Sequence, residues 1–167
     1  MVGRVFDENK IVYSLDRNEV EARDELANRG SEPLQARAEG VYDSRTGVIH
    51  IFGEKTDGPL QFDSNHTTYH EAGHAVDHHL GDESRSPEFR AALAQDLADA
   101  NASGKISKNE KRFLDDPQEA YAEAFARTID PKSANQPGKL PNTVAYMKRN
   151  RRVQDLLRDR RDARQRR

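Results

Sequence analysis

Five of the six histidines fall between His66 and His79, and inside that cluster Tyr69-His70-Glu71-Ala72-Gly73-His74 spells H-E-x-x-H. No other feature constrains the fold as strongly, because the pattern works only on a helix. At four-residue spacing His70 and His74 share one helix face about one turn apart, so both imidazoles can reach one tetrahedral ion. Glu71 points beside that face, where it can take a proton from water held at the ion. A helix from about Thr67 to Leu80, stopped by Gly81, is therefore expected. The plainer reading is a pair of partly exposed helix histidines. The neighbouring segments argue against it, with a β-prone hairpin before the motif and a carboxylate-bearing helix after it.

The donor set is narrowed by what the chain lacks. Its 167 residues contain no cysteine. Disulfides, iron–sulfur clusters, thiolate zinc sites and cysteine nucleophiles are thereby excluded, and any metal must be held by histidines and carboxylates. Hydrophobic residues make up 34% and charged residues another 34%, enough for one small, mainly helical core that does not use the whole chain. No run approaches the roughly eighteen apolar residues of a membrane span. Asp7, Glu8, Asp16 and Glu19 stand where a signal peptide would need an apolar centre.

Three segments are expected. Residues 1–37 are polar, with one helix from about Glu19 to Asn28. Residues 38–131 hold the metal constellation. Within them Val41-Tyr42 and Val48-Ile49-His50-Ile51-Phe52 flank the turn-rich Asp43-Ser44-Arg45-Thr46-Gly47, a hairpin signal. Ser86-Pro87 opens a helix that repeats Phe89, Leu93 and Leu97. Ser107 and Glu110 form a capping box, and Asp116-Pro117 opens a helix running to about Ile129. Residues 132–167 form a linker and a basic C-terminal helix.

A catalytic zinc needs a third protein ligand and an open position. His78 lies two turns from His70, roughly 12 Å along the axis, too far to share one ion. The metzincin extension fails because position 77 is Asp and position 80 is Leu. Glu119 and Glu123 remain, on one face of a helix whose other face carries Tyr121 and Phe125. One carboxylate would bind the metal and the other would hydrogen-bond a ligand imidazole to fix its orientation. Asp77, just beyond His74, would either accept an N–H from a ligand histidine or cap its own helix.

The run His70-Glu71-Ala72-Gly73-His74-Ala75-Val76-Asp77, followed by Glu119-Ala-Tyr-Ala-Glu123-Ala-Phe125, resembles the catalytic domain of anthrax lethal factor-like zinc metalloproteases. Gly40-Val41-Tyr42 and Ser44-Arg45 before Ile49 resemble the strand pair that precedes that family's active helix. The resemblance covers about residues 38–131. It implies an α+β, mainly helical zincin-like domain with a small β-hairpin beside the HExxH helix, and a zinc endopeptidase of the gluzincin type. His70, His74 and Glu119 would bind Zn2+, Glu71 would be the general base, and Glu123 would support the ligands. The family's edge strand pairs with an extended peptide, which points here to Val48, Ile49, His50 and Ile51. The family also places a tyrosine seven residues before the glutamate ligand, as oxyanion donor. Here that position is Arg112, so either Arg112 supplies the charge or Tyr42, Tyr69 or Tyr146 reaches in. The setting implied is a bacterial toxin or secreted effector acting on a protein or peptide.

Other features carry further expectations. Asp99, Asn101, Ser103, Lys105, Ser107 and Glu110, with Gly104, match the spacing of a twelve-residue Ca2+ loop. Gly104 as a helix stop and Ser107/Glu110 as a capping box explain the same residues without calcium. From Lys148 to Arg167 ten basic residues face three acidic ones, which suggests either an anionic-polymer binder or a helix folded back on an acidic body. Asp155, Asp159 and Asp162 interrupt the run at helical spacing and favour the second. His66 and His79 read as surface groups. Two alternatives to the peptidase stand beside it: a zinc-bound domain that recognises peptides but cleaves poorly, and a nucleic-acid or anionic-surface binder using the tail.

Overall fold

The computed structural model describes residues 11–14, 40–52, 64–104, 111, 114–130 and 140–165. The protein is mostly helical with one small sheet, an α+β arrangement. Strands β1 (Ile11–Ser14), β2 (Gly40–Asp43) and β3 (Val48–Phe52) are followed by helix α1 (Ser64–His79), a single 3-10 turn (Glu83–Arg85), and helices α2 (Pro87–Ala102), α3 (Pro117–Ile129), α4 (Pro141–Arg149) and α5 (Arg151–Gln165). The helix expected at Glu19–Asn28 lies outside the described residues, and of the one expected after Ser107 only Lys111 and Leu114 are described, both helical.

The hairpin forms where the turn chemistry puts it. β2 and β3 pair antiparallel, Tyr42 opposite Ile49 and Asp43 opposite Val48. The Asp43 carboxylate accepts the Arg45 backbone N–H at 2.9 Å, and Gly47 takes a positive φ of 68° while donating to the Asp43 carbonyl, a conformation that suits glycine. β1 adds to the other side of β3 in parallel, Ile11 opposite Ile49, so the order is β1-β3-β2. This corrects the assignment of Val48, Ile49, His50 and Ile51 to a peptide-binding edge. β3 is the central strand, paired along both sides, and Ile49 and Ile51 are fully buried. A short, nearly unbroken apolar run is what a strand enclosed by the sheet requires.

Each later helix starts where a side chain can satisfy its first N–H groups. Ser86 Oγ accepts from Phe89 N at 3.2 Å ahead of Pro87, and Asp116 accepts from Gln118 N at 2.9 Å ahead of Pro117. Helix α4 has no such residue of its own, because its N-cap position is Leu140. Asp96 on α2 serves instead, as described below.

The core joins the sheet to all five helices. Ile49 and Ile51, Val76 of α1, Phe89 of α2, Tyr121 and Phe125 of α3, Met147 of α4 and Val153 of α5 are buried in one cluster. The start of the basic helix is thus folded onto the body. Its Arg152 donates to Glu83 Oε2 at 2.6 Å and to the Leu80 carbonyl at 2.6 Å, across the turn that ends α1.

Candidate metal centre

Helices α1 and α3 run antiparallel and face each other through two stripes of four-residue spacing. His66, His70 and His74 lie on one, Glu119, Glu123 and Arg127 on the other. The pairing climbs one stripe as it descends the other. His74 Nε2 lies 3.6 Å from Glu119 Oε2, His70 Nε2 lies 3.1 Å from the same oxygen, and His66 Nε2 donates to Glu123 Oε2 at 3.0 Å. Arg127 Nε closes the ladder on Glu123 Oε1 at 2.7 Å.

Close packing of the two helices sets this geometry. Ala120, Ala122, Ala124 and Ala126 leave α3 thin on its buried sides, and Gly73 lets the α3 backbone approach between the two motif histidines. The alanine-rich run therefore packs against the HExxH helix, as its sequence indicates.

One donor atom from each of His70, His74 and Glu119 lies within 4.8 Å of the others, a group that could hold a metal ion. The donor chemistry and spacing fit. Two ligand atoms about 2.0–2.1 Å from a tetrahedral ion stand roughly 3.3 Å apart, and the two histidine–carboxylate separations straddle that value. Burial opposes charge on His70, but the Glu119 and Glu123 carboxylates outweigh it and raise its pKa to about 10. Burial likewise pushes Glu119 up, yet hydrogen bonds and positive charge from His70 and His74 hold it well below the usual carboxylate range. A proton on His70 Nε2 thus occupies the position, and supplies the charge, that a cation would.

Glu123 sits behind His70, on the side of Nδ1. Its Oε2 is 3.7 Å from His70 Nδ1, an ion-pair contact longer than a full hydrogen bond. Burial is outweighed by His66, His70 and Arg127, and its carboxyl too stays far below the ordinary range. This placement orients His70 with Nε2 toward Glu119.

Glu71 is buried beside the cluster, under β2. A Cβ on Gly40 would stand 2.8 Å from Thr67 Cγ2 and 2.9 Å from Glu71 Cγ, so glycine permits the strand to cross α1 at this point. Burial raises the Glu71 carboxyl above its usual value, against the pull of His74, His70 and the Tyr42 backbone N–H. A raised carboxyl pKa suits a group that must accept and return a proton.

Several expectations resolve differently. Asp77 does not serve His74. Its Oδ1 accepts the Ser84 backbone N–H at 2.6 Å and closes the turn after α1. Tyr146 is committed elsewhere, its hydroxyl donating to Glu83 Oε1 at 2.7 Å. Tyr42 has its hydroxyl 3.2 Å from His78 Nδ1, one turn past His74. Arg112 lies outside the described residues, as do Lys105, Ser107 and Glu110. Of the remaining calcium-loop positions, Asp99 and Asn101 are still helical because α2 continues to Ala102. Asp99 accepts from Gln95 Nε2 at 2.8 Å, and Ser103 Oγ donates to the Ala100 carbonyl. Gly104 then stops the helix with φ 61°.

His66, Arg127 and Gly73 are the site residues that the sequence reading missed. The first two extend the same four-residue spacing that exposed His70/His74 and Glu119/Glu123, and a glycine inside a helical pattern is itself a signal of close approach. Among the described residues no helix is long and apolar enough to cross a membrane. The chain matches no family model, no curated protein and no solved structure.

Proposed function

We propose that this chain is a zinc-dependent endopeptidase with a zincin-like, gluzincin-type active site, resembling the anthrax lethal factor-like catalytic domains. The observation that carries the reading is the convergence of His70, His74 and Glu119 from two helices, with the buried Glu71 carboxylate next to them. His70 and His74 would present Nε2 to the ion and Glu119 one carboxylate oxygen. When bound, the zinc would polarise the scissile carbonyl and acidify water.

This chain's own part is proton transfer and orientation. Glu71 accepts a proton from the attacking water on its carboxylate and returns it to the leaving amine. Glu123 keeps His70 turned toward the ion. β2 borders the sheet beside Glu71 and is the strand along which an extended peptide would align. A bacterial toxin or effector is the setting that the resemblance suggests.

A second reading, a zinc-holding peptide-recognition domain with little turnover, is favoured by one residue: Arg112 stands where the family has its oxyanion tyrosine. Losing one oxyanion donor costs on the order of 10²–10³ in rate. The deciding experiment is digestion of a diverse peptide mixture by the zinc-loaded full chain beside Glu71→Gln, read by mass spectrometry. Cleavage by the wild type alone supports the peptidase. Zinc-loaded wild type that binds peptides without cutting them supports the second reading. Cleavage retained in Glu71→Gln removes Glu71 as the base.

A further inference from the structure

We infer that His66 and Arg127 are positioning residues for the metal centre, acting on His70 through the Glu123 carboxylate. The inference rests on His70 being a metal ligand, and concerns residues one step farther from the ion.

Arg127 reaches Glu123 through a single contact, Nε to Oε1 at 2.7 Å. A carboxylate held by one oxygen can still pivot about it. The other oxygen, Oε2, is the one that faces His70 Nδ1, at 3.7 Å. His66 donates its Nε2–H to that same Oε2 at 3.0 Å, from one turn before His70 on the same helix face. The two donors therefore pin both oxygens, from two helices, and remove the pivot.

Oε2 accepts from His66 through one lone pair and turns its other toward His70 Nδ1, 3.7 Å away in an ion-pair contact. Held there, the negative Oε2 favours a proton on His70 Nδ1, which would leave Nε2 for the metal.

Exposure separates this role from a structural one. The His66 side chain is 44% exposed, whereas that of Glu123 is 14% exposed. Removing the His66 imidazole takes little surface out of the core, so its loss is felt through Glu123 more than through packing. Arg127 is itself 25% exposed and sits in the last turn of α3.

The test compares Zn2+ affinity, by competition with a fluorescent chelator, across the full-length wild type, His66→Ala, His66→Gln and Arg127→Ala. The thermal midpoint of each metal-free protein is measured beside it. His66→Ala is expected to weaken Zn2+ binding roughly tenfold, the lower end for partners of metal ligands, with the metal-free midpoint lowered only slightly, by loss of the half-exposed His66–Glu123 pair. His66→Gln keeps an N–H donor and should recover most of the affinity. Arg127→Ala should weaken binding in the same direction. Unchanged or tighter binding in His66→Ala overturns the inference, and so does failure of the glutamine to rescue. Wild type that binds no Zn2+ removes the metal centre itself, and this inference with it, a result distinct from either of the others.

Discussion

Gly73 stands against Ala122 so closely that a Cβ at position 73 would lie 2.6 Å from Ala122 Cα and 2.9 Å from its carbonyl oxygen. Ala122 sits between Glu119 and Glu123, and Gly73 between His70 and His74. The contact therefore sets the distance between the two stripes that meet at the candidate metal centre.

Replacing Gly73 by alanine pits two effects against each other. Helix propensity favours alanine by about 0.8–1 kcal/mol. Overpacking against a backbone, which cannot turn aside as a side chain can, costs typically about 1–3 kcal/mol. The clash is expected to win. Gly73→Ala should lower the thermal midpoint and move Glu119 away from His70 and His74, weakening Zn2+ binding more than a remote variant of equal stability. Calorimetric titration beside thermal melts checks both.

Much of this arrangement was legible from residue spacing. His70 and His74, Glu119 and Glu123, the caps at Ser86 and Asp116 and the turn at Asp43–Gly47 are local patterns, decided within one or two turns of chain. What sequence left open depends on contacts between distant segments. The resemblance implies that β3 is an edge strand, but β1, about thirty-five residues earlier, pairs with its other side. Asp77 has the spacing to meet a histidine, but the turn after α1 brings the Ser84 N–H to it first. His66 reads as a surface group because nothing local says that Glu123, 57 positions away, will lie against it.

Asp96 shows how far such a contact can matter. Its carboxylate, 1% exposed, accepts from the backbone N–H groups of Asn142 and Thr143, from Asn142 Nδ2 and from Thr143 Oγ1, all at 2.8–2.9 Å. It caps α4 from another helix and meets the positive end of that helix's dipole. Asp96→Ala leaves these donors unsatisfied and should cost about 2–4 kcal/mol. Zn2+ binding to the protein that remains folded should be unaffected, because the proposed ligands sit on α1 and α3. Denaturant melts with a parallel metal titration test this.

The titrating groups at the centre give the metal-free protein a defined pH window. Glu119 and Glu123 have depressed folded-state values against an ordinary 4.5. Their contribution is present above pH 4.5 and is lost as pH falls below it. His66 is raised above 6.5 by Glu123, after burial has opposed the charge, and His70 is raised to about 10. Their contribution is complete below pH 6.5 and is lost as pH rises through the folded values. These are one set of ion pairs viewed from both sides, so the effects are not added. Without metal, the thermal midpoint should be highest between about pH 4.5 and 6.5 and fall on either side. A metal-free midpoint still rising at pH 9 would contradict the ladder.

Zinc should invert the alkaline limb, and the two glutamates should separate in how they respond. Metal binding needs His70 Nε2 free of its proton, so apparent Zn2+ affinity rises with pH across the neutral range. Glu119 is proposed to contribute an oxygen directly, and on that reading Glu119→Ala should abolish binding at micromolar zinc. Glu123 contributes only through His70 Nδ1, and Glu123→Ala should weaken binding about 10–100-fold without removing it. Because Glu123 also holds His66 and Arg127, adding His66→Ala to Glu123→Ala should bring little further loss. That non-additivity is the signature of groups working through one carboxylate. Additive losses in the double variant would instead mean that His66 reaches the metal by a route of its own.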